Sequence, residues 1–278
     1  METKVTLTAH RGWRAKYPEN TMRGFREAAK LDIDGIEIDV HMTKDYRIVI
    51  CHDPTLDRTT DKNGWIRNMT LEEVRRADAG IKFGEEFKGE KIPTMEELLE
   101  LMASRPDLRL LLELKDYPEE IGDFAYASAT LTLSLCKKYG VFGKDRLTVI
   151  TLSTAICAWL RTRYGRDDFY IHGFYPKALM KGYESDDPYK YYDEVCLFNH
   201  GEKDPQGLPI DHGTIVADKA RYREFELMGI RPCVYYKLNT DEEVYRRSFE
   251  NGATGFTSDN PDVCGEILDK IGARKLKR

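Results

Sequence analysis

The chain has no Cys-x-x-Cys pair, no long apolar run, no surplus of basic residues and no Gly-rich loop behind its first strand-like segment. Each absence excludes something. Cys51, Cys136, Cys157, Cys196, Cys233 and Cys264 stand singly, most of them in apolar stretches. Reduced, buried thiols are expected, and a zinc site built from these cysteines is not. Without a stretch of about 20 apolar residues there is no candidate transmembrane helix. Met1-Glu2-Thr3-Lys4 runs straight into a strand-like segment, so neither a signal peptide nor a stable membrane anchor is expected, and the expected location is the cytoplasm. A net charge of −5 argues against nucleic acid as the partner. An anionic substrate must then find positive charge locally, from a metal, Arg or Lys. The missing Gly-rich loop weighs against a doubly wound open sheet.

What is present is a chain of 278 residues, 41% hydrophobic and 33% charged, a length typical of one α/β barrel. Strand-like and helix-like segments alternate, which points to a parallel sheet. Strands are expected at about 5–10, 35–41, 108–114, 146–151, 169–174, 194–198, 231–236 and 254–257. Helices are expected from Asn20 to about Leu31, with Asn20 or Thr21 as N-cap, near 94–104, over Thr130–Tyr139, Lys219–Met228 and Asp241–Asn251, and from Pro261 to about Ile271. Eight strands fit a TIM (β/α)8 barrel.

Two segments break the alternation. Only Thr43-Lys44-Asp45-Tyr46 separates the second strand from Arg47–Cys51, too short for a parallel crossover of roughly a dozen residues. Residues 47–52 therefore read as the return arm of a hairpin, which carries His52 back toward Asp39. Residues 54–92 are polar and irregular, contain Trp65 and Phe83, and read as a small insertion or lid. The stretch 175–217 is either a long loop over the active face or hides a short strand at Thr214–Ala217.

Ionisable side chains then gather at strand ends. Glu37 and Asp39 alternate along Gly35-Ile36-Glu37-Ile38-Asp39-Val40, so both face one side, the interior of a barrel. Glu113 ends another strand. Three carboxylates inside apolar runs repel one another unless a cation lies between them, and all-oxygen ligation suits one hard divalent cation, Mg²⁺ or Ca²⁺, with Mn²⁺ also admissible. The plain alternative is a buried network of carboxylates with Arg11 and Lys115. Lys115 shares the face of Glu113, and a phosphate would satisfy Lys115, Arg11 and the metal together. His10 and His52 suit an acid–base pair near neutral pH. His41, His172, His200 and His212 read as structural or loop residues, with alternation expected to turn His41 away from Asp39.

At these residues the chain resembles the glycerophosphodiester phosphodiesterase family. The matching elements are His10-Arg11-Gly12, Pro18-Glu19-Asn20-Thr21, Glu37-Ile38-Asp39-Val40, Thr43-Lys44-Asp45, His52-Asp53 and Glu113-Leu114-Lys115, with Thr257-Ser258-Asp259-Asn260-Pro261-Asp262 resembling the closing element. The resemblance implies one TIM-type barrel domain over 1–278, with an insertion at about 54–92, that hydrolyses a small-molecule glycerophosphodiester to glycerol 3-phosphate and an alcohol. It implies Glu37, Asp39 and Glu113 as metal ligands, His10 and His52 as general acid and base, Arg11 and Lys115 on the phosphate, and Glu19 orienting Arg11 or a metal ligand. Where the family often has Trp-Thr-Val-Asn and Ser-Phe, this chain has Tyr236-Lys237-Leu238-Asn239 and Thr151-Leu152. Both departures are expected on the substrate side, which leaves the alcohol open, as is the oligomeric state. Tyr183, Tyr189, Tyr191, Tyr192 and Phe198 either contact a headgroup or cover the barrel. The alternatives to a diesterase are a lysophospholipase D-type activity and a non-catalytic phosphate-binding barrel.

Overall fold

The computed structural model describes residues 5–197 and 218–274. His200, His212, Phe198 and the candidate strand at 214–217 lie outside the described residues. The strands are β1 (Thr6–His10), β2 (Gly35–Met42), β3 (Ile48–Ile50), β4 (Arg109–Leu114), β5 (Leu147–Ile150), β6 (Tyr170–Tyr175), β7 (Glu194–Leu197), β8 (Arg231–Tyr236) and β9 (Gly255–Ser258). Their order is β1-β9-β8-β7-β6-β5-β4-β2-β3, and β1 also pairs with β2. Every pairing is parallel except β2 with β3. Eight strands thus close on themselves and β3 hangs outside, which makes the fold a TIM barrel with a hairpin excursion.

The helices are α1 (Met22–Ala28), α2 (Leu71–Val74), α3 (Met95–Ser104), α4 (Pro118–Ile121), α5 (Asp123–Lys138), α6 (Thr154–Arg163), α7 (Lys219–Leu227), α8 (Glu242–Asn251) and α9 (Pro261–Lys270). Local chemistry sets their starts. Thr94 and Glu97 form a reciprocal capping box on α3, worth about 1 kcal/mol. Ser153, Asp218 and Asp241 cap α6, α7 and α8 through their side chains. Helix α1 is shorter than expected. Its cap is Thr21, whose hydroxyl accepts from the Gly24 amide, and Asn20 is turned away in a left-handed conformation with φ 54°.

Alternation along each strand divides the labour. Ile36, Ile38, Leu110, Leu112, Val149 and Ile171 are fully buried in the main apolar core with Phe25, Leu98, Leu133 and Leu160 from the surrounding helices. Each such side chain contributes about 1.5–3 kcal/mol on burial. The opposite parity faces the barrel interior, and there the polar residues collect. The segment 54–92 is less irregular than expected. It holds α2 and two short 3₁₀ turns, and Leu56, Ile66, Val74, Ala77, Ala79 and Ile92 close a second apolar cluster over Val49 and Cys51.

Candidate active site

Strand register assembles the site. His10 lies beside Glu37, and Asp39 beside Glu113. The antiparallel β2–β3 pair, with Val40 opposite Ile50 and the Cys51 amide donating to the Asp39 carbonyl at 3.0 Å, returns His52 to the same end of the barrel. His10, Arg11, Glu37, His52, Glu113 and Lys115 all line one cavity of about 320 Å³.

Glu37, Asp39 and Glu113 are buried, and each offers an oxygen within 4.8 Å of the others. Burial and the adjacent Asp39 charge push the Glu37 carboxyl well above the usual carboxylate range. Burial acts on Asp39 in the same direction, but Lys115 and Arg11 overcome it and hold that carboxyl well below its ordinary value. Lys115 Nζ is 3.3 Å from Asp39 Oδ1 and 2.8 Å from Glu113 Oε1. Burial disfavours its charge, yet Glu113 and Asp39 carry its pKa up to about 12. Arg11 Nε is 3.2 Å from Asp39 Oδ2, and its Nη1 donates to Glu19 at 3.0 Å. The carboxylate–Arg/Lys network is therefore present.

Three carboxylates against these two cations leave a deficit of positive charge. Asp39 Oδ1 and Glu113 Oε1 are buried and both lie against the single Lys115 ammonium. A divalent cation would relieve both the repulsion on Glu37 and these two oxygens, so the residues fit such an ion.

Each histidine is tethered through Nδ1. His10 Nδ1 lies 2.5 Å from Asp259 Oδ1, and His52 Nδ1 lies 2.6 Å from Asp53 Oδ1. An aspartate on Nδ1 fixes the ring and leaves Nε2 for other partners. His10 Nε2 is 3.7 Å from Glu37 Oε2. Burial lowers the His10 pKa, against the pull of Asp259. The Asp53 carboxyl is held far below its ordinary value by the His52 hydrogen bond and by Arg58. Glu19 joins the two dyads. It pairs with Arg14, which also holds Asp259 Oδ2 at 3.0 Å, and with Arg58, which also holds Asp53 at 2.7 Å.

The structure brings together all eight residues expected from the sequence, His10, His52, Arg11, Lys115, Glu37, Asp39, Glu113 and Glu19. Four supports are not apparent from the sequence. Asp259 is 249 positions from His10, and no local pattern links them. Asp53 stands out in the sequence only as the neighbour of His52. Asn20 donates from Nδ2 to Asp39 Oδ2 at 2.9 Å rather than capping α1. Tyr235 donates to Asp259 at 3.1 Å, and its ring lies 4.5 Å from that of His10. The expectation for His41 is corrected, since an i, i+2 spacing gives it the parity of Asp39. It remains outside the cluster, with Nδ1 2.8 Å from Asp116.

The far wall of the cavity is apolar, with Leu111, Ile150, Leu152, Phe174 and Leu179. Leu152 stands on the expected substrate side, whereas Tyr236 packs outward on Tyr245 and its neighbour Tyr235 lines the cavity. Tyr189 and Tyr192 pack on each other and Tyr189 on Phe225, so these two cover the barrel.

Barrel and mouth together define a class, a TIM barrel with imidazoles, carboxylates and cations gathered at the carboxyl ends of its strands. The comparisons narrow it further. The chain belongs to the glycerophosphoryl diester phosphodiesterase family, whose model matches residues 10–263. A glycerophosphodiester phosphodiesterase of Caldanaerobacter subterraneus is 48% identical over 112 residues, 40% of this chain and 46% of that protein, so the match spans about half the length of that relative. Among solved structures, a glycerophosphodiester phosphodiesterase of Agrobacterium tumefaciens superposes with a TM-score of 0.70 at 22% identity, covering 93% of this chain and 98% of the other. A phosphodiesterase of Oleispira antarctica, solved with sn-glycerol 3-phosphate, gives 0.73 at 24%, covering 95% and 96%.

Proposed function

We propose that this chain is a metal-dependent phosphodiesterase that hydrolyses glycerophosphodiesters to glycerol 3-phosphate and an alcohol. The observation that carries the reading is a pair of imidazoles, each held at Nδ1 by an aspartate, on one cavity with three buried carboxylates and two cations. The Oleispira structure with glycerol 3-phosphate supports the product class by likeness.

Glu37, Asp39 and Glu113 hold one divalent cation, Mg²⁺ or Ca²⁺ with Mn²⁺ also admissible. Bound there, the cation supplies charge stabilisation to the phosphoryl oxygens. Arg11 and Lys115 bind the remaining phosphate charge, and Glu19 orients Arg11. One histidine takes at Nε2 the proton of the attacking oxygen, and the other gives from Nε2 a proton to the leaving alkoxide. The glycerol hydroxyl beside the phosphate attacks first, which expels the alcohol and leaves a cyclic phosphate. Water then opens that ring as the two histidines exchange roles.

The family match over 10–263 supports one barrel domain with the insertion at 54–92. Among the described residues no helix is long and apolar enough to cross a membrane, and all six cysteines are buried and free. Both observations support a cytoplasmic setting.

The test is a panel of diesters carrying choline, ethanolamine, glycerol or inositol, assayed with each metal restored after chelation. Release of glycerol 3-phosphate from none of them refutes the proposal. His10→Ala and His52→Ala must each abolish turnover, or the acid–base roles are wrong and a binding barrel is favoured. The apolar wall around Leu152 and Phe174 favours a second reading, a lysophospholipase D-type activity. Faster turnover of lysolipids than of deacylated diesters would select it.

A further inference from the structure

The opposite end of the barrel holds a second cavity, of about 210 Å³. Its wall includes His172 on β6, Glu194 on β7 and Cys233 on β8, three strands that are neighbours in the sheet. His172 lies beside Glu194 in register, and Cys233 beside Cys196, two residues further along β7. All three side chains are buried, and each brings one donor atom within 4.8 Å of the other two. None of the acid–base or carboxylate groups above belongs to this cluster, although His172 also reaches the upper cavity.

We infer that His172, Glu194 and Cys233 form a second metal site, for a borderline-soft divalent ion of the zinc type, at the amino end of the barrel.

The donor set is the first reason. One imidazole, one carboxylate and one thiolate select zinc-like ions over the hard ions suited to an all-carboxylate site. The spacing is the second. His172 Nδ1 and Glu194 Oε2 are 3.3 Å apart, long for a hydrogen bond to a carboxylate. Two ligands about 2.0–2.2 Å from a tetrahedral zinc are separated by about 3.4 Å, so this pair already stands at ligand spacing. Glu194 Oε1 is engaged by Arg231, with Arg109 Nη1 at 3.7 Å. Such contacts hold a ligating carboxylate in place from behind. The third reason is Thr148. Its Oγ1 is fully buried and, among the described residues, has no hydrogen-bond partner, and the residue lines this cavity, so the site offers a polar atom still open to a bound ligand. Asp34, Asp107 and Asp145 lie on the same wall, so the cavity is not cationic overall. Coordination forms a sulfur–metal bond and releases the thiol proton to solvent. The inference does not need the cysteine-rich site that the sequence excludes, since it uses one cysteine.

The experiment uses the full chain, stripped of metal and then given excess Mg²⁺ to occupy the hard carboxylate site. Co²⁺ is titrated in as the optical probe. A near-ultraviolet thiolate-to-cobalt charge-transfer band should saturate at one equivalent, persist in Cys196→Ser, vanish in Cys233→Ser and be displaced by Zn²⁺. Circular dichroism checks that the serine variants fold. Should Cys233→Ser not fold, Glu194→Gln decides, and it should weaken Co²⁺ binding at least tenfold. Absence of the band in the wild-type chain, its survival in folded Cys233→Ser, or unchanged affinity in Glu194→Gln each overturns the inference.

Discussion

Asp259 touches His10 without facing the cavity, so replacing it separates positioning from contact with substrate. Asp259→Asn keeps the volume and one oxygen, and it removes the charge that His10 Nδ1 meets at 2.5 Å. A hydrogen bond to a charged partner is worth about 1.5–3 kcal/mol. If that stabilisation is realised when the imidazole carries its proton in the transition state, kcat should fall by roughly 10- to 150-fold, at a factor of ten per about 1.36 kcal/mol. An amide can also present its NH₂ to Nδ1 and force the wrong tautomer, which deepens the loss toward the roughly 10⁴-fold seen for such a swap in a serine protease triad. KM should change little, because Asp259 spends its contacts on His10, Arg14 and Tyr235. The assay is steady-state release of glycerol 3-phosphate with metal saturating, alongside a thermal melt. A folded variant with kcat within threefold of wild type, or with its loss wholly in KM, would refute the argument that Asp259 sets His10.

Three further outcomes are expected. Chelation of divalent ions should cut turnover at least about 100-fold, since a Lewis-acid contribution of several kcal/mol is lost, and Mg²⁺, Ca²⁺ or Mn²⁺ should restore it; an undiminished rate in chelator would contradict the carboxylate assignment. Gly173→Ala should destabilise the barrel by about 3 kcal/mol or more, because an added Cβ would stand 1.8 Å from Tyr192 Cζ beneath a fully buried ring; an unchanged melting temperature would show that the ring moves freely. Burial pushes the Glu19 carboxyl up, but the Arg58 hydrogen bond with Arg11 and Arg14 holds it down at about 2 against an ordinary 4.5. A depressed carboxyl stabilises the fold above its unfolded pKa and loses that contribution as pH falls through the folded value. Glu19→Gln should therefore cost on the order of 3 kcal/mol at neutral pH, with the gap from wild type closing between pH 4.5 and about 2 in urea melts; a gap that does not change with pH would remove the charge argument.

Residues near in sequence or bound by strand alternation were legible. Glu37 with Asp39 and Glu113 with Lys115 follow from a period of two, and the short link 43–46 forces the hairpin that returns His52. Asp259 was not legible as a partner of His10, because its position follows from the closure of β9 on β1, which local patterning does not encode. Asn20 was ambiguous for another reason. Asn is a good N-cap and also tolerates a left-handed backbone, and only packing decides between these uses. Helix α5 begins at Asp123, upstream of the expected Thr130, because small and hydroxyl residues there hide the apolar stripe. The segment 54–92 read as irregular because its second cluster is built from isolated Leu, Ile, Val and Ala side chains without a helical or strand period.

Glu19 receives Arg11, Arg14 and Arg58, and through the last two it is joined to both histidine–aspartate pairs. Both imidazoles thus hang from one anchor, like two arms on a single pivot. A disturbance at that pivot displaces both together, and penalties measured at Asp259 and Asp53 should then sum to more than their joint removal.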